Sequence, residues 1–313
     1  MKKIYLLFIA ITMSMSSFAQ SRKYVSQFSH MQSYFNPALT GYEGSNFRGL
    51  IRNQWVGFEG APMTYFGSLE FDIADFSKGA DPNKNALGFN VLHDQYGAFV
   101  ETEMIGSYAS RIQVGEKTAI RLGMGVSYNQ VRLDGNSLTT EQASDPVIGQ
   151  YLNSFANMQV LDFNIGMALT HPNYYVSYAV SHVNKGAINS GDVFMERKPR
   201  VGIFQAGYRN ALSQNLALAT NFMYRTQQDL PDNIEFNFKV LMMDRIWLGG
   251  GHRIDYANNF QLGVLFPMIR IGYVYELPMN KSYLLPNTTH EFLAVIPLFK
   301  KNIRSDRREV LIW

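Results

Sequence analysis

Few of the reactive side chains in this chain stand at spacings that chemistry requires. The six histidines, His30, His93, His171, His182, His252 and His290, share no metal-ligand spacing, and no HExxH, GxSxG or P-loop occurs. His93-Asp94 has two members of a hydrolytic triad in sequence, but no motif places a serine to complete it, so the pair is read as structural. Gly249-Gly250-Gly251 sits inside an alternating apolar stretch, not ahead of a helix, and is read as tight packing or a bend, not a phosphate cradle. With 0 cysteines there is neither thiol chemistry nor a disulfide framework. No motif calls for catalysis, a metal or a cofactor, and the chain is read as a non-enzyme.

Charge placed at alternate positions is the more informative pattern. Arg48, Arg52, Arg121, Asp162, Arg225, Glu235, Lys239, Arg245, Arg253, Arg270 and Glu276 all fall opposite bulky apolar residues. If those apolar residues face lipid, the charges face a lumen. Mixed charge there fits either a water-filled channel or an interior packed with ion pairs. Eight of these eleven are cationic, so a lumen that binds anionic segments is a further expectation. Formal net charge is +3 and loss of Lys2 and Lys3 would leave +1; the basic residues are scattered, so nucleic acid is not an expected partner.

The elements that must position these charges are strands. Residues 119–132 alternate Ile120, Leu122, Met124, Val126 and Tyr128 against Arg121, Gly123, Gly125, Ser127 and Asn129, which is the strand period. Residues 161–169 and 234–242 read the same way. Segments of ~9–11 residues match a tilted bilayer crossing, whereas soluble strands average ~5–6. About fourteen strands are expected, centred near Ile51, Leu69, Val91, Tyr108, Met124, Ile165, Tyr178, Gln205, Asn221, Phe238, Gly249, Leu262, Tyr273 and Ala294. The fold expected is all-β: a transmembrane antiparallel outer-membrane β-barrel, because only closure satisfies every strand edge in lipid. A soluble sandwich is the alternative; it would favour shorter strands and fewer inward charges.

Four segments are expected. Residues 1–19 read as a cleaved signal peptide, with Lys2-Lys3, an apolar run and Ser17-Phe18-Ala19. Residues 20–45 lead into the barrel, 46–299 form it, and 300–313 make a basic periplasmic tail carrying Lys300, Lys301, Arg304, Arg307 and Arg308. Connections after even strands are mostly tight and those after odd strands longer, notably 134–159, 184–199 and 278–288; the exception is 74–85. Short turns belong at the periplasmic rim, which puts both termini there. A hairpin through 227–232 would set Arg225 opposite Glu235 as an ion pair, with Asn221 opposite Lys239.

Several short motifs carry a family resemblance. Gln27-Phe28-Ser29 through Asn36-Pro37-Ala38-Leu39-Thr40-Gly41 resembles the mature N-terminus of the PorP/SprF family of type IX secretion system outer-membrane proteins. Arg52-Asn53-Gln54-Trp55 followed by Gly60-Ala61-Pro62-Met63-Thr64 resembles its R-x-Q-W and G-A-P-x-T signature. Asp94 and Gly97 are similar to its D-x-x-G turn, and Thr289-His290-Glu291 to its T-H-E in the last strand. The tail to Trp313 is longer and more basic than the family pattern. The resemblance implies a barrel that supports secretion or surface attachment of specific partners, such as gliding adhesins bearing a type IX C-terminal signal. It also implies contacts with other secretion-system components and with outer-membrane lipid.

The motif residues themselves read as architecture: a turn at Asn36-Pro37, an interface ring at Trp55, a rigid loop at Gly60–Pro62. Partner contacts are expected on the long outer loops, through Val147, Ile148, Tyr151, Phe155, Phe194, Tyr283 and Leu284. A porin or a channel for hydrophobic small molecules is the competing function.

Overall fold

Bulky apolar residues alternating with small or polar ones drive nearly the whole chain into strands. The computed structural model describes residues 25–58, 60–77, 84–135, 154–192, 198–228, 230–279 and 288–299. In chain order the strands are β1 (Asn46–Asn53), β2 (Met63–Asp72), β3 (Asn85–Tyr96), β4 (Phe99–Gln113), β5 (Ala119–Asp134), β6 (Phe155–Thr170), β7 (Tyr174–Ser181) and β8 (Ile188–Gly191). They continue with β9 (Val201–Ala211), β10 (Leu216–Gln227), β11 (Leu230–Met242), β12 (Ile246–Arg253), β13 (Ala257–Leu265), β14 (Arg270–Pro278) and β15 (Thr289–Pro297). All fourteen expected centres lie in strands.

The sheet is antiparallel and closes on itself, β1 pairing with β15 from Asn46↔Pro297 to Asn53↔His290. β7 and β8 both pair with β6, at residues 165–170 and 158–161 respectively, so fifteen strands occupy fourteen positions in a closed barrel. Between them residues 182–187 leave the ladder. The Asp162 carboxylate fixes this excursion by accepting the backbone N–H groups of Asn184 at 2.8 Å and Gly186 at 2.7 Å.

Burial is inside-out, as expected of a wall between lipid and a filled interior. Met124 is 64% exposed and Phe238 55%, while Glu235 and Lys239 are 0% exposed. Tight turns at 114–118, 171–173, 212–215, 243–245 and 266–269 line one rim, the periplasmic one by the barrel rule. The length asymmetry is less complete than expected, because three connections at the opposite rim, 97–98, 228–229 and 254–256, are also tight.

Three expectations are corrected. Arg245 is not a lumen residue; it is exposed in the 243–245 turn, where β11 has ended and β12 has not yet begun. Phe155 is not in a loop, because β6 begins there, paired with Asp134. Arg225 faces Asn233, not Glu235, and Ala219 faces Lys239. The faces were right but the register slips by two residues. The hairpin closes sooner than expected, with Gln227 opposite Leu230 and an irregularity between Arg225 and Gln227. A slip of two preserves which face each side chain takes, so alternation alone cannot detect it.

Candidate functional site

The barrel interior is occupied by residues 25–45. All of them except His30, Tyr34, Tyr42 and Glu43 are buried. The segment starts among the outer ends of β12, β14 and β15, crosses to β3–β6, and returns to the short-turn rim where β1 begins. The first described residue, Val25, therefore stands well inside the wall and is 2% exposed.

Its outer end is held by charge. The Ser26 and Gln27 backbone N–H groups donate to the Glu291 carboxylate at 2.7 and 3.1 Å. Asn237 Nδ2 donates to the Ser26 carbonyl at 2.6 Å, and Ser26 Oγ donates to Glu276. Arg52 bridges the two carboxylates, meeting Glu276 at 2.9 Å and pairing closely with Glu291. Arg253 joins Glu235 at 3.0 Å and Glu276 at 3.2 Å. Two guanidinium groups thus meet three carboxylates, and the segment's N–H donors help carry the excess negative charge. Arg52 is 1% exposed, so none of this network is screened as a surface pair would be.

Below that, Phe28, Met31 and Phe35 pack against Leu50, Phe66, Leu92 and Leu293, an apolar layer inside the lumen. Lys239 Nζ donates to Ser29 Oγ at 3.0 Å and to His30 Nε2 at 2.8 Å, lying 5.0 Å from the Trp247 ring centre. Burial, reinforced by the Lys239 ammonium, holds the His30 imidazole well below its usual range, so it accepts as the neutral ring. Tyr34 donates to Glu103 at 2.8 Å; burial and that carboxylate raise its hydroxyl pKa.

The inner end is seated by backbone contacts. Asn36 caps the single turn Pro37–Leu39 by accepting the Ala38 N–H at 2.9 Å, as its residue type favours, and its amide donates to the Met167 carbonyl at 3.3 Å. Arg121 donates to the carbonyls of Ala38 at 2.8 Å and Thr40 at 2.6 Å. The Gly41 N–H donates to Glu70 at 2.6 Å, and Glu70 also pairs with Arg48. Room for this turn comes from Gly123 and Gly166, cross-strand partners on β5 and β6. A Cβ on Gly123 would overlap the Pro37–Ala38 backbone, and one on Gly166 the Asn36 side chain.

Most motif residues fall into matched pairs. Asn36, Pro37 and Gly41 belong to the inserted segment, while Arg52 and Glu291 grip its outer end. Thr64 Oγ1 donates to Asp94 at 2.5 Å across β2 and β3, and Gln54 N–H to the Pro62 carbonyl at 3.0 Å. His290 Nδ1 and the Tyr273 hydroxyl lie 2.7 Å apart. Gly60 and Gly97 both have positive φ, with the Gly97 N–H donating to the Gly60 carbonyl at 3.4 Å, and Trp55 turns the chain with φ 53°.

Of the charges expected inside, Arg48, Arg121, Asp162, Glu235 and Lys239 are buried; Arg225 and Arg270 lie on the inward parity of their strands. Glu70, Asp72, Asp94, Glu101, Glu103 and Glu291 are buried beside them. The lumen is therefore close to charge-balanced and the expected cationic bias disappears. Glu70 was legible as an inward carboxylate, sharing parity with Thr64, Phe66 and Ser68. Val147, Ile148, Tyr151, Phe194, Tyr283 and Leu284 lie outside the described residues, as do the segments 1–24 and 300–313.

A closed outer-membrane barrel with its own N-terminal segment packed inside is the class of protein that fold and site define. Residues 17–296 match the family described as type IX secretion system membrane protein PorP/SprF, and the chain belongs to that family. No curated protein matches it significantly. Among solved structures it is similar to the CymD monoaromatic hydrocarbon channel at 10% identity, TM-score 0.48, covering 85% of this chain and 91% of that one. The Ralstonia pickettii toluene transporter TbuX gives 12% identity, TM-score 0.47 and coverage of 83% and 90%. The Pseudomonas putida toluene transporter TodX gives 10%, 0.48, 88% and 94%. Overlaps of this size say nothing about what crosses or binds.

Proposed function

We propose that this protein serves type IX secretion as a protein-binding barrel, supporting secretion or surface attachment of particular partners such as gliding adhesins with type IX C-terminal signals. It does not serve as a solute channel. One observation carries this reading: the lumen that a channel would keep open is occupied by residues 25–45, tied through buried charge at one end and backbone contacts at the other. A barrel filled in this way presents its rims and loops for work. The outer loops, with Val147, Tyr151, Phe194 and Tyr283, are the proposed contact surface.

Shortening loop 135–154 in the native cells should leave the barrel assembled and reduce surface retention of the cargo. Normal cargo display in cells lacking the whole protein, with only solute uptake altered, would refute the proposal. Normal display from the loop-shortened barrel alone would remove that loop as the contact surface.

A further inference from the structure

The charge balance of the whole lumen hides a local excess at its short-turn mouth. Arg111, third from the end of β4, stands directly opposite Arg121, the third residue of β5. Lys84 immediately precedes β3, and its carbonyl accepts the Arg111 N–H at 2.6 Å, so it continues the same row. Three cationic residues thus stand on adjacent strands, spread over two steps of ~4.8 Å. Like charges set directly opposite each other destabilise a sheet. Arg111 shares parity with the buried Glu103, Ser107 and Ala109, so the row belongs to the lumen face and not to lipid.

Little in the wall offsets these charges. Arg121 is 1% exposed and donates to the carbonyls of Ala38 and Thr40, which are neutral acceptors. Of the two carboxylates whose fields reach Arg121, Glu70 pairs with Arg48, which leaves Asp72. Three cations against one carboxylate give +2, and Glu116 and Lys117 in the adjoining turn cancel. Arg111 is half-buried with its Nε enclosed, and its guanidinium makes no ion pair or hydrogen bond among the described residues. A guanidinium held in this way is a donor fork awaiting an anion.

We propose that this row binds an acidic peptide segment of a partner on the short-turn, periplasmic side. Carboxylates at alternate residues of the segment meet Arg111 and the exposed Lys84, with Arg121 behind them. Alternate residues of an extended chain lie ~6.6 Å apart, within the length of the row. A phosphate cradle would instead gather backbone N–H groups around one point. Here the Arg111 N–H is spent on the ladder and the cations stand in a line. The site lies at the rim opposite the outer loops, so it stands or falls independently of the cargo surface proposed there.

The test uses the full chain in a detergent with a neutral head group and a fluorescein-labelled peptide of alternating Asp and Gly, read by anisotropy. Binding should saturate and weaken with added salt. Arg111→Gln should weaken it about tenfold or more, the loss of one charge-assisted hydrogen bond, and Arg111→Lys should weaken it less. Lys84→Gln changes an exposed residue and should also weaken binding, which keeps the row testable should Arg111→Gln fail to assemble. Arg132→Gln removes an exposed cation near the opposite rim and should leave binding unchanged. Wild-type affinity in both Arg111→Gln and Lys84→Gln overturns the assignment. So does equal affinity for a peptide with Asn in place of Asp, or displacement of the peptide by an equal concentration of inorganic phosphate.

Discussion

Replacing Arg52 with methionine removes the guanidinium that bridges Glu276 and Glu291. In the intact network Arg52 and Arg253 offset two of the three charges on Glu235, Glu276 and Glu291, leaving −1; in Arg52→Met the balance becomes −2. Breaking a buried pair by deleting one partner costs about 3–5 kcal/mol, because the other charge stays buried and uncompensated. At about 1.4 kcal/mol per decade, the ratio of seated to released segment falls by roughly two to three and a half powers of ten. Since the chain has 0 cysteines, Ser33→Cys provides a clean reporter at a position only 2% exposed when seated. Maleimide labelling of that cysteine should accelerate about a hundredfold or more in Arg52→Met, with heat-modifiable migration of the barrel unchanged. Adding Glu291→Gln restores the −1 balance and should recover most of the protection. Equal labelling rates in wild type and Arg52→Met, or a double variant as reactive as the single, would refute the electrostatic tether.

Gly123→Val places a side chain into the Pro37–Ala38 backbone, an overpacking cost of about 1–3 kcal/mol, and should expose Tyr34 and Phe35 to chymotrypsin; wild-type resistance would contradict the notch. His30 has a folded pKa below its free value, so its contribution is complete above pH ~6.5 and shrinks by about 1 kcal/mol per pH unit below that. Labelling of Ser33→Cys should therefore rise on acidification and rise less in His30→Gln; equal slopes would remove His30 from the account. A single cysteine at Asp255 should react on intact cells and one at Asn215 should not; the reverse would invert the barrel.

Strand positions and faces were readable because the pleat fixes side-chain direction at every second residue. Asp162, Glu235 and Lys239 were placed inside on that basis alone. What the pattern could not carry was pairing. The Arg225–Glu235 expectation failed by a two-residue slip, and Glu235 found Arg253 on the other neighbouring strand instead. Nor could alternation reveal the inserted segment. Residues 25–45 have no strand period, and their partners lie up to 265 residues away, as Ser26 does from Glu291. The one sequence trace of this arrangement was that family motifs cluster both in the segment and at Arg52 and Glu291, which close on each other in space.

The claim on which everything else depends is that residues 25–45 close the lumen, leaving protein contacts as the barrel's work. Steady-state conductance of the purified wild-type protein in planar bilayers tests it directly, with a variant lacking residues 25–43 as the reference. The account predicts no sustained ohmic current from the wild type and an open-pore current from the deletion. Wild-type conductance equal to that of the deletion would contradict it.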